Sequence, residues 1–215
     1  MRYILVSILF ISTLYALPFN LTTKDALTIK KAYESKKITT RLLRYKEFLK
    51  EAQYFHLEKK LNRVNSHINK IRSKHDKLSN PISETQTIGD YWMTPKEFFI
   101  AGSGDCEDYA IAKFYTLRYL GINPKHLLLS VVQVKGSSSL HMVLLYLPSK
   151  DDIPLVLDNL SWKVLPLDKR KDLKPLFAFN ETCSRGFKKK KIDKKINIDW
   201  GKEDKWEKFL QRVDD

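Results

Sequence analysis

From Asn20 to Asn80 the chain contains only Asn20, Asn80 and residues other than glycine and proline between them, and that absence decides the first third of the fold. The strongest helix breakers are missing, so residues 23–73 read as helix. Thr22 or Thr23 suits the N-cap. Apolar residues recur at helical spacing, first Leu42, Tyr45, Phe48 and Leu49, then Leu57, Leu61, Val64 and Ile68. Breaks near residues 35–40 and 53–56 divide the stretch into two or three helices. These are expected to form a layer packed on the domain that follows, with a bundle or a partner-binding coil as the alternative. His56, His67 and His75 lie in this charged region and read as surface residues.

The pattern then changes. Residues 79–89 are polar and hold Asn80-Pro81, a loop signal. Thr94-Pro95 opens a short helix, with Thr94 as N-cap, Pro95 at the first helical position and Glu97 at the third. Gly102-Ser103-Gly104 leads into a second helix over residues 105–120, stopped by Gly121 and Pro124. Apolar, branched runs at 127–134, 140–147 and 155–157 are separated by polar loops and read as strands. Residues 162–165 and 176–179 add two further candidates. Helices, then a cysteine-bearing helix, then antiparallel strands make an α+β arrangement.

With 215 residues the chain suits one domain with a full core. Arg2 followed by an apolar run over residues 4–14, too short to span a bilayer comfortably, reads as an export signal cleaved near Ala16. The domain then runs over residues 17–187, its helical part ending near residue 78. Residues 188–215 form a Lys-rich extension, with Trp200 and Trp206 as anchors onto the body. The net charge is +14, from 39 Lys and Arg against 25 Asp and Glu. Such a balance fits an anionic partner, but the excess is spread along helices and the tail, and an exported chain is not expected to meet nucleic acid. Of two cysteines, Cys106 sits in a dense polar motif and reads as a free thiol. Cys183, in Asn-Glu-Thr-Cys-Ser, reads as incidental.

The chemistry centres on Gly104-Asp105-Cys106-Glu107-Asp108-Tyr109. This places Cys106 at a helix start, where the field favours a thiolate; a small buried core cysteine is the plain alternative. Positions 110, 114, 117 and 120 share its face and imply burial on that side. A base is needed. Among five histidines, His141 alone sits in a strand apolar on both faces, Leu140-His141-Met142-Val143-Leu144-Leu145. Asp158 ends the next apolar run. If Leu147 faces Pro154 in a hairpin, Leu145 faces Val156 and His141 becomes the diagonal neighbour of Asp158 on one face, within side-chain reach. A slip of one residue separates them. Asp105, Glu107 and Asp108 oppose thiol ionisation. Either they cap the helix, or they hold a hard cation such as Ca²⁺ or Mg²⁺ that reverses the local field.

Several motifs in order carry a family resemblance: Asp90-Tyr91-Trp92-Met93-Thr94-Pro95-Lys96-Glu97-Phe98, Gly104-Asp105-Cys106-Glu107-Asp108-Tyr109-Ala110-Ile111-Ala112-Lys113, Leu120-Gly121, His141-Met142-Val143-Leu144 and Pro154-Leu155-Val156-Leu157-Asp158-Asn159-Leu160. Over roughly residues 57–180 the chain resembles the bacterial transglutaminase-like cysteine proteinases of the LapG type. The resemblance implies a transglutaminase/papain-like core and a periplasmic, Ca²⁺-dependent endopeptidase. Members cut the N-terminal region of large secreted adhesins near a pair of small residues, which releases the adhesin and disperses biofilm. They are sequestered by an inner-membrane receptor that senses cyclic di-GMP. By motif, Cys106 is the nucleophile, His141 the base and Asp158 its orienter. Asp105 and Glu107 match the calcium-linked carboxylates, with Asp108 a third candidate. A transglutaminase or amidase passing the same acyl-enzyme to another acceptor, and a non-catalytic module binding the adhesin or receptor, remain the alternatives.

Overall fold

The structure, a computed structural model, describes residues 18–74, 91–201 and 204–213. The export segment, His75 and the loop expected at 79–89 lie outside those residues.

Three helices open the described chain. Thr22 caps α1 (Thr23–Lys31) in a reciprocal box with Asp25. α2 (Ser35–Ala52) follows, then α3 (Leu57–Ile68). The first break falls at residues 32–34, ahead of the expected 35–40. The reason is packing: Ile38, Leu42, Tyr45 and Leu49 lie on one buried stripe, so α2 runs back through them. His67 is also not the surface residue its neighbours suggest. Its ring stacks on Phe48 with centroids 4.0 Å apart and lies beside Tyr45.

β1 (Arg72–Ser73) pairs in parallel with β2 (Ser103–Gly104), bracketing α4 (Pro95–Ala101). α5 (Cys106–Tyr119) comes next. Every residue from Glu107 to Leu117 is buried, so the helix is enclosed all round and not along one face. α5 packs on α3, on α4 and on the sheet. Two polar contacts tie it to the helical layer. Tyr45 Oη lies 2.6 Å from Thr116 Oγ1, and Lys60 Nζ donates to Leu120 O at the helix end.

The sheet has seven antiparallel strands: β3 (Leu127–Val134), β4 (Leu140–Tyr146), β5 (Leu155–Asp158), β6 (Ser161–Pro166), β7 (Leu173–Phe179), β8 (Ser184–Lys188) and β9 (Lys191–Lys195). Their spatial order is β6-β5-β4-β3-β7-β8-β9. The hairpin register is the one read from the sequence, with Leu145 opposite Val156. Both faces are covered. Leu129, Val131, Met142, Leu144 and Leu157 enter the core beneath the helices. Leu128, Val132, Val143, Leu145 and Val156 form a second core with Leu167, from the connection that carries the chain from β6 across to β7, and with Leu173 at the start of β7.

The Lys-rich end is part of this body. β8 and β9 extend the sheet, and α6 (Lys205–Val213) buries Trp206 and Phe209 against Phe179, Tyr115 and Trp92. Trp200 packs edge-on to Phe179 and Trp92. Arg212 reaches Glu97 at 3.0 Å and Trp92 O at 2.7 Å. Trp200 and Trp206 are thus the anchors expected of this segment, joined by Phe209 and Arg212.

Two outcomes follow from the packing. Trp206→Ala leaves a cavity in the aromatic cluster and is expected to cost about 3–5 kcal/mol, measured by urea unfolding, while Trp162→Ala on the exposed surface of β6 changes little. Burial lowers the His67 pKa from 6.5 to about 4, with Lys70 and Arg63 adding to it. The unfolded chain therefore binds the proton more tightly, and stability falls as pH drops from about 6.5 to about 4. His67→Phe is expected to flatten that part of the stability–pH curve.

Candidate active site

The approach to Cys106 is built from close backbone contacts. Thr94 and Glu97 form a capping box that starts α4. Gly102 ends it at φ +67°, where a Cβ would overlap the Arg41 guanidinium. That guanidinium donates to Phe99 O and Ile100 O, the last carbonyls of the helix. A Cβ on Gly104 would lie 2.6 Å from Asp108 Oδ2. The space is needed because the Asp108 carboxylate folds back over the turn. Its Oδ1 accepts from Met93 N–H at 2.8 Å and its Oδ2 from Asp105 N–H at 3.1 Å. Asp108 therefore braces the loop, with both oxygens engaged by the backbone.

Cys106 is the first residue of α5. The helix field and the N–H of Met142 on β4 favour its thiolate. Burial, the Glu107 carboxylate and Asp105 oppose it more strongly and push the thiol well above its ordinary range. The thiol is directed at Glu107 Oε2, 3.1 Å away, and not at an imidazole.

His141 stands next to Met142 on β4. Its Nε2 lies 2.8 Å from Asp158 Oδ1. Burial raises the Asp158 carboxyl, but the His141 contact, the Leu160 N–H and Arg170 outweigh it and hold the pKa at about 2. An ionised carboxylate only accepts, so Nε2 carries a proton, and in the neutral imidazole that leaves the lone pair on Nδ1. The hairpin thus joins His141 to Asp158, and the Met142 N–H brings the Cys106 sulfur to the same strand. A thiol, an imidazole and a carboxylate are the residue types that acyl transfer uses as nucleophile, base and orienter. Such sites commonly tighten the thiol–imidazole contact only with substrate present.

Further residues around Asp158 were not singled out from the sequence. Asn69 Nδ2 donates to Asp158 O at 2.8 Å, and Asn65 and Asn69 both donate to Ser161 O. Arg170 Nη2 donates to Asp158 Oδ2 at 2.7 Å. Lys113 is fully buried on α5. Burial lowers its pKa to about 7, against the attraction of Asp158. A lysine amid Ala-Ile-Ala-Lys-Phe-Tyr was a usable signal, because charge inside a buried helix needs a reason. Arg170, in a run of Lys, Arg and Asp, carried none. The two cysteines are both free, Cys183 lying beside the second core.

Among the described residues no three His, Cys, Asp or Glu side chains converge as a metal site. Asp105 and Glu107 offer hard carboxylate oxygens in the first turn of α5 or just before it, the donor type that suits Ca²⁺.

No curated protein matches the chain. Among solved structures, calcium-bound Legionella pneumophila LapG is 30% identical with a TM-score of 0.65, over 81% of this chain and 90% of that one. Legionella pneumophila LapG is also matched at 28% identity and TM-score 0.69, over 92% of this chain and 99% of that one. Its EGTA-treated form gives 28% and 0.69, over 92% and 100%. The fold is accordingly the α+β transglutaminase-like one. Residues 44–173, more than half of the chain, match the model of the bacterial transglutaminase-like cysteine proteinases, and the protein belongs to that family.

Proposed function

We propose that the protein is a periplasmic, calcium-dependent cysteine endopeptidase that cuts the N-terminal region of a large secreted adhesin and so releases it from the cell surface. The observation that carries the reading is the His141–Asp158 pair at 2.8 Å on a strand whose next N–H meets the Cys106 sulfur. Membership of the family and the likeness to LapG support it. An inner-membrane receptor for cyclic di-GMP is the proposed sequestering partner. Export rests on the residues before Ala16; no helix among the described residues is long and apolar enough to cross a membrane.

In this reading the Cys106 sulfur attacks the scissile carbonyl carbon, and its proton passes to His141 Nδ1. The carbonyl oxygen becomes an oxyanion, met by the backbone N–H of Cys106 at the start of α5. Collapse breaks the C–N bond, and the imidazolium returns the proton to the leaving amine. Water then adds to the thioester with His141 as base, giving the carboxylate product and the thiol. Asp158 holds the imidazole in the Nε2–H tautomer throughout and stabilises its charged form. The Asp105 and Glu107 carboxylates would hold calcium, with Asp108 bracing the turn. Bound there, it would offset the negative charge beside the thiol and favour the thiolate.

With the N-terminal region of a large secreted adhesin as substrate, Cys106→Ala is expected to abolish cleavage. Asp158→Asn is expected to lower kcat on the order of 10²- to 10⁴-fold. Cleavage by Cys106→Ala would refute the assignment. A chelator is expected to stop cleavage and added Ca²⁺ to restore it; full activity in chelator would remove calcium from the scheme. An amine donor in the same assay separates hydrolysis from crosslinking.

A further inference from the structure

Asp158 has a burial problem that His141 alone does not solve. The carboxylate is 1% exposed, and its Oδ1 is shared by His141 Nε2 and the Leu160 N–H. Its Oδ2 faces Arg170, which is itself 6% exposed. Arg170 does not approach as a fork. One nitrogen, Nη2, bridges two carboxylates, Asp158 Oδ2 and Asp172 Oδ2, each at 2.7 Å, while Nε donates to Asp172 Oδ1 at 2.9 Å. Asp172 thus fixes the angle at which the guanidinium meets Asp158.

Arg170 lies on the connection between β6 and β7, which has no strand partner over most of its length to hold it. The support comes from the Lys-rich end. Lys190 Nζ donates to two carbonyls of that connection and to the first of β7: Leu167 O at 3.3 Å, Arg170 O at 2.6 Å and Leu173 O at 2.5 Å. Lys190 reaches them from the two-residue turn between β8 and β9. Both turn residues have positive φ, 48° at Lys189 and 65° at Lys190. Hairpin turns of that shape favour Asn and Gly. Two lysines held there are strained, and strain that persists needs compensation from its surroundings. The three carbonyl contacts of Lys190 provide it.

We propose that Arg170 is a positioning residue for the active site, and that the β8–β9 turn acts on the site through Lys190. The linkage runs from the Lys190 ammonium to the Arg170 connection, to Asp158, to His141. Arg170 keeps Asp158 ionised and aimed, so that the imidazole presents Nδ1 to the thiol. Asp158 also feels Lys113 from α5, while Asp172 balances Arg170 and Glu107 faces the thiol. Lys113 donates no hydrogen bond to Asp158, so it does not substitute for Arg170 in direction. This proposal rests on the triad of the preceding section.

The test needs no natural substrate. Cys106 in the full chain is alkylated with iodoacetamide at neutral pH and read by mass spectrometry of its own peptide, which leaves Cys183 out of the count. Proton NMR follows the far-downfield Nε2–H resonance of the His141–Asp158 hydrogen bond. Arg170→Met is expected to slow alkylation about tenfold or more, the scale of one charge-assisted hydrogen bond, and to lose the downfield signal. Arg170→Lys places an ammonium between the two carboxylates and is expected to recover part of both. Lys190→Gly suits the turn yet removes the ammonium, and is expected to slow alkylation severalfold. Lys60→Met, which removes the cap on α5 far from Asp158, controls for stability loss and is expected to leave both readouts unchanged. If Asp158→Asn slows alkylation while Arg170→Met and Lys190→Gly do not, the positioning role is wrong. If Asp158→Asn has no effect either, the triad is wrong. Should Arg170→Met fail to fold, Arg170→Lys and Lys190→Gly decide: wild-type alkylation and signal in both overturns the proposal.

Discussion

A negative charge with almost no access to water sits at the centre of this protein, and the rest of the structure is arranged to keep it there. Burying an ionised carboxylate without partners costs several kcal/mol. Asp158 avoids that cost because four separate parts of the chain converge on it. β4 supplies His141, and the turn after β5 supplies the Leu160 N–H. The connection after β6 supplies Arg170. α3 secures the main chain through Asn69. Apart from the local Leu160 turn, each interaction joins Asp158 to a different element, so the carboxylate is fully satisfied only in the complete fold. This couples the proposed chemistry to the architecture: the carboxylate bound to His141 is also a point where helical layer, sheet and crossover must agree.

Cys106 is governed by the opposite balance. The helix field acting on Cys106 is worth on the order of 0.3–1 kcal/mol, and up to about 2 in partly buried geometry. Burial and two adjacent carboxylates outweigh it. The thiol is thus restrained by the same residues that start its helix. Asp108 differs from its neighbours in this respect, since its oxygens are bound to the Met93 and Asp105 N–H groups. The three acidic residues look alike in the motif but divide into a brace and two charges beside the sulfur.

The sequence allowed the hairpin register, and with it the His141–Asp158 pair, to be read because alternation and one loop length leave few choices. The Thr94 and Asp105 helix starts were legible for a similar reason, since capping is local. Arg170 and Lys190 were not legible. Their roles come from a crossover and a turn that meet only in three dimensions, and their neighbours are Lys, Arg and Asp with the same local appearance. His67 was misread because a charged helix can bury one histidine against aromatic partners from another element. The docking of α6 was foreshadowed by Trp200 and Trp206, but its helical form and the Arg212–Glu97 contact were not.

The last helix also has a temporal meaning. Arg212 holds Trp92 and Glu97, at the segment from which the Met93 N–H reaches Asp108 beneath the nucleophile turn. During synthesis, Cys106 and its turn emerge long before α6, and Arg170 and Lys190 also emerge after the motif they support. A nascent chain therefore displays the thiol before the contacts that settle its turn can form. The brace beneath Cys106 is set from a point far downstream in the chain, so the order of the polypeptide delays the settling of that turn.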